Sequence, residues 1–93
     1  MKAEFTVFDD APGYWFVPKE DEAAAMAEPS RFREGVFPTK IAACRGALAQ
    51  AVGSGATELH LHRMGATTSI KKEVRAKGLK PFIYIPSIRT KLG

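Results

Sequence analysis

Residues 39–63, TKIAACRGALAQAVGSGATELHLHR, hold the pattern that most restricts what this 93-residue chain can become. The stretch reads as one amphipathic helix, a glycine-marked turn and one alternating strand. Thr39 is a good N-cap, because its hydroxyl can accept from a free backbone N–H of the first turn. Ile41, Cys44, Leu48 and Val52 recur at helical spacing and are expected to line the buried face. Ala42, Ala43, Ala47, Ala49 and Ala51 are strong helix formers, and they make a thin helix that can approach a sheet closely. Gly46 interrupts them at a cost of roughly 1 kcal/mol relative to alanine, so a close contact is expected there. Gly53, Ser54 and Gly55 end the helix. In residues 57–62, Leu59 and Leu61 then face one way, while Glu58, His60 and His62 face the other.

The rest of the chain arranges itself around that unit. Residues 4–8 and 14–17 are β-prone and aromatic, and Asp9, Asp10, Ala11, Pro12 and Gly13 between them are turn-forming. They predict an antiparallel hairpin, ended by Pro18. Tyr14 and Phe16 share one face, and Trp15 and Val17 share the other. Phe8, Tyr14, Trp15 and Phe16 read as core; Tyr14 and Trp15 become interface aromatics if they are exposed. Residues 19–37 are expected to be an insertion, either loop or short helix. The acids Glu20, Asp21 and Glu22 suit a helix start, and Pro29 stops it. Residues 30–35 then read as exposed loop.

After Gly65, the hydroxyls of Thr67, Thr68 and Ser69 offer N-caps for a second helix over residues 70–77. Ile70 and Val74 lie one turn apart on its apolar side. Gly78 fits the left-handed position after the helix, with Leu79 folding back on Val74 as in a Schellman ending. Residues 82–85 form a last short strand between Pro81 and Pro86, and residues 87–93 a basic tail. The expected fold is one α/β (α+β) domain over residues 1–93, in the order ββαβαβ. Its three- to four-stranded mixed sheet carries helices mainly on one face.

Tyr14, Trp15, Phe16 and Val17, with Phe37, Thr39, Lys40, Ala43, Ala47, Ala51, residues 58–63 and Gly65, also carry a family resemblance. Residues 14–65 resemble DUF2188, a family of small bacterial domains of unknown function. The likeness implies a Trp-bearing strand, a helix entered through a Thr-Lys pair and a strand ending in His-Gly-Arg. It implies a fold and no activity. Residues 19–36 form a longer insertion than the family shows, and residues 69–93 have no counterpart in it.

Charge is unevenly spread. Residues 1–39 hold four Lys or Arg against eight Asp or Glu, a net of −4; residues 40–93 hold ten against two, a net of +8. A strongly basic half attracts nucleic acid or an acidic protein surface. Lys71, Lys72, Arg75, Lys77, Lys80, Arg89 and Lys91 are the expected binding patch, with Lys71 and Arg75 one helical turn apart. The plain alternative is a solvated helix face.

Glu58, His60 and His62 share a strand face, and all three residue types can ligate a metal at about 6–7 Å spacing. Paired histidines also suit acid–base cleavage of RNA, with Arg63 or Tyr14 on the phosphate. No nucleophile or ligand motif accompanies them, so neither metal nor catalysis is expected. Gly53-Ser54-Gly55 follows a helix rather than preceding one and is no phosphate cradle. No cofactor pattern is present. Cys44, the single cysteine, reads as a buried thiol. The N-terminal residues lack a signal-peptide core and no apolar run is long enough for a membrane span, so a cytoplasmic protein is expected.

Three functions follow as expectations. The first is a non-catalytic module that binds an acidic partner, nucleic acid first, through the basic half. The second is a protein-interaction module or small inhibitor acting through the aromatic hairpin or a sheet edge. The third is a small metal-dependent or RNA-cleaving enzyme using His60 and His62.

Overall fold

Four strands form one mixed sheet in the order β2-β1-β3-β4 in the computed structural model, which describes residues 1–9, 13–32, 35–64 and 69–85. Strand β1 (Lys2–Phe8) pairs antiparallel with β2 (Trp15–Pro18), as the hairpin pattern predicts. Strand β3 (Glu58–His62) lies parallel to β1, and β4 (Lys80–Ile83) parallel to β3. The sequence expectations for Asp10, Ala11, Pro12, Gly65, Thr67, Thr68 and Pro86 lie outside the described residues, and so does the tail with Arg89 and Lys91.

Helix α3 (Lys40–Gly53) covers one sheet face, and it starts where the sequence places it: Thr39 Oγ1 accepts from the Ala42 N–H at 3.1 Å. The face it buries differs from expectation. Ala43, Cys44, Ala47, Leu48 and Ala51 are buried, whereas Ile41 is half-buried and Val52 is 43 % exposed. The reason is steric. Alanines one turn apart let the helix settle on the sheet, and the bulk comes instead from Phe5, Val7, Leu59 and Leu61 beneath. Gly46 has the close contact its cost implies. A Cβ there would sit 2.9 Å from the Phe37 ring and 3.0 Å from Phe16.

Helix α4 (Ser69–Ala76) shares that face, with Ile70 and Val74 fully buried against the same core. Its end is the predicted Schellman motif. Leu79 N–H donates to Val74 C=O at 3.2 Å and Gly78 N–H to Arg75 C=O at 2.9 Å, with Gly78 at φ +85°. Leu79 is buried.

The opposite face is covered only in part. A 3-10 turn (Lys19–Asp21) leads into α1 (Glu22–Ala27) and then α2 (Pro29–Phe32). Pro29 therefore both ends one helix and opens the next, where its missing N–H is not required. Ala25 and Phe32 roof a second small core of Phe8, Trp15 and Val17. Trp15 stacks on Phe8 and is 1 % exposed, so it belongs to the core and presents no interface; Tyr14 is half-buried and bridged to Phe37. Residues over β3 and β4 on this face have no helix above them among the described residues.

Candidate functional site

Residue alternation and strand register decide what stands on the uncovered part of the sheet. Leu59 and Leu61 point into the α3–α4 core, so Glu58, His60 and His62 take the other side. Register then brings Glu4 beside His60 and Thr6 beside His62 from β1, and Lys80 and Phe82 beside Glu58 and His60 from β4. Tyr84 follows two residues after Phe82, and its N–H donates to Leu61 C=O at 2.8 Å.

The histidines are held by different carboxylates. His60 Nε2 meets Glu58 Oε1 at 2.9 Å, and His62 Nε2 meets Glu4 Oε2 at 2.5 Å. In the neutral ring, Nε2–H donates to Glu58 and leaves Nδ1 free to accept from the Tyr84 hydroxyl at 2.9 Å. His60 is buried, at 7 % exposure, while Tyr84 is 42 % exposed. The hydrogen bond from His60 holds the Glu58 carboxyl below the ordinary range, and that from His62 does the same for Glu4. Among the described residues no three His, Cys, Asp or Glu side chains converge as metal ligands. Glu58, His60 and Tyr84 form one hydrogen-bonded chain, and His62 with Glu4 forms a separate pair.

Aromatic stacking completes the surface. His60 stacks on Phe82 with centroids 4.3 Å apart and planes 7° off parallel; His62 stacks on Tyr84 at 4.3 Å and 4°. Glu4, Phe82 and Tyr84 are absent from the sequence candidates. The signal for the two rings was the period-two spacing that matches the two histidines, but only register shows that the pairs are neighbours.

The expected basic patch divides between two surfaces. Burial of Ile70 and Val74 turns the rest of α4 outward: Lys72, Arg75 and Lys77 are exposed and Lys71 half-buried. The acid among them, Glu73, is taken by Arg45 from α3 in two hydrogen bonds of 2.8 and 3.0 Å. The pair holds Glu73 below its ordinary range and Arg45 above its own. A depression of about 410 Å³ lies alongside, lined by Leu48, Ala49, Val52 and Lys77 with that ion pair. Lys80, exposed at the start of β4, belongs to the open sheet face, where its charge acts on Glu58. Among the described residues, none of Lys71, Lys72, Arg75, Lys77 and Lys80 is in an ion pair.

Arg63 ends β3 with a left-handed backbone, φ 62°. Lys40 Nζ donates to its carbonyl at 2.9 Å, and its guanidinium lies 5.2 Å over the Phe8 ring. These contacts offset a conformation that costs roughly 1–3 kcal/mol. No described helix is long and apolar enough to cross a membrane. No protein-family model, curated protein or solved structure matches the chain, and the resemblance of residues 14–65 stays an expectation.

Proposed function

We propose that this protein is a non-catalytic binding module that engages an acidic partner, nucleic acid first, through the outer face of α4. One observation carries the reading: α4 is locked by two fully buried residues, Ile70 and Val74, so its cations stand outward as a fixed row. Arg45 neutralises Glu73, which removes the row's own counter-charge. Such cations lower the free energy of a polyanion by releasing its condensed counterions.

Replacing Lys71, Lys72 and Arg75 by alanine tests it. Binding to nucleic acid of any sequence should weaken alike, because phosphate contacts carry no sequence information. Folding stability should stay within about 0.5 kcal/mol, as expected of surface changes. A triple variant that binds every nucleic acid as the parent does would reduce α4 to a solvated face.

The third expectation draws some support from the Tyr84–His60–Glu58 chain, where a hydroxyl, an imidazole and a carboxylate follow one another. That order is shared by nucleophilic triads. Both bonds equally serve to satisfy the buried His60 ring, and the binding reading stands first.

A further inference from the structure

We infer that the β4 edge is a stacking platform for single-stranded nucleic acid, with successive bases seated on Phe82 and Tyr84. The inference rests on the nucleic-acid reading for its class of partner, but it uses a different surface.

His60 and Phe82 are registered neighbours on adjacent strands, and their centroids are 4.3 Å apart in nearly parallel planes. Adjacent strands themselves run about 4.8 Å apart. The stacking direction therefore runs across the strands, from β3 towards β4. His62 and Tyr84 repeat the arrangement one pleat further on. Each column begins on a histidine and ends on an aromatic ring at β4, the last strand of the sheet. No described strand lies beyond β4, so among the described residues no further strand caps the columns at that end.

The rings are fixed in advance. Tyr84 is clamped by stacking on His62 and by its hydroxyl on His60 Nδ1, yet it remains 42 % exposed. Phe82 is half-buried against His60. A flat ligand meeting them loses little side-chain freedom on the protein's side. The edge also suits a ligand other than a β-strand. Lys80 and Tyr84 turn their N–H groups to Thr57 and Leu61 of the β3 side, which leaves Pro81 with its nitrogen outward. Proline offers no N–H there, so strand addition at that position loses a hydrogen bond.

Spacing selects the single strand. Two residues along a strand span about 6.5–7 Å, whereas stacked bases in one strand of a duplex are about 3.4 Å apart. Bases on both rings must be unstacked from each other, which a duplex resists and a single strand permits. Lys80 stands at the start of the same edge, and the carboxylates of Glu4 and Glu58 lie on inner strands, tied to the histidines.

The test compares a fluorescent twelve-nucleotide oligouridylate with a twelve-base-pair duplex RNA, by anisotropy on the intact protein. The parent should prefer the single strand. Tyr84→Ala and Phe82→Leu should each lower single-strand affinity by roughly tenfold, the usual effect of losing one stacking side chain, and leave the duplex unaffected. Tyr84→Phe keeps the ring and should bind within about twofold of the parent. If Tyr84→Ala fails to fold, Phe82→Leu carries the same expectation. Equal binding of both probes, with loss only in the α4 variant, overturns the platform and leaves the α4 reading intact. Failure of both probes to bind overturns both readings, and a duplex that binds while the single strand does not overturns the platform alone.

Discussion

His60 gives up nearly all contact with water and still keeps a partner on each ring nitrogen. Leaving one of those nitrogens unpaired would cost roughly 1–3 kcal/mol. Glu58 and Tyr84 remove that penalty, and the same two bonds orient the neighbouring side chains. Trp15 is the contrary case: its Nε1 is buried without an acceptor, and nothing among the described residues offsets it. Cys44 illustrates burial acting on a titratable group. Loss of solvent pushes its thiol up to about 11, and its Sγ donates to Met64 Sδ at 3.6 Å. Only the thiolate reacts readily. Native protein at about pH 8 should therefore leave Cys44 unlabelled by a thiol reagent while denatured protein is labelled completely. Prompt labelling of the native protein would mean that α3 does not seat Cys44 against the sheet.

Helix α3 shows where local pattern and packing part. Its start at Thr39 and its close contact at Gly46 are written in neighbouring residues, and so is the Schellman end of α4. The buried face of α3 is not. A hydrophobicity count favours Ile41 and Val52, but the sheet selects the small residues that permit close approach, and no local signal reports how near the sheet lies. The histidine site fails in sequence for a related reason. His60 and His62 are visible as an alternating pair, but Glu4, Phe82 and Tyr84 join them through strand order and register. The corrected face makes a quantitative expectation. Leu48→Ala should cost about 2–5 kcal/mol, through lost transfer energy and the cavity left behind. Val52→Ala, on the exposed side, should stay within about 0.5 kcal/mol. Equal losses in denaturant unfolding would place Val52 in the core after all.

The whole molecule separates its two candidate surfaces across one sheet. Helices α3 and α4 cover one face and send the α4 cations outward; the other face bears the histidine–aromatic columns on a half that no described helix covers. Lys77 is exposed just after α4, and Lys80 is exposed at the start of β4. The net charge of +4 understates this arrangement, because the acids concentrate in residues 1–39. The most direct test of the central claim is the salt dependence of affinity for a single-stranded oligonucleotide. If about four or five of these cations meet phosphates, log K should fall linearly with log salt at a slope of roughly −3, and the Lys71, Lys72 and Arg75 triple variant should flatten it by about two. A slope near zero in the parent, or an equal slope in both proteins, would contradict the account.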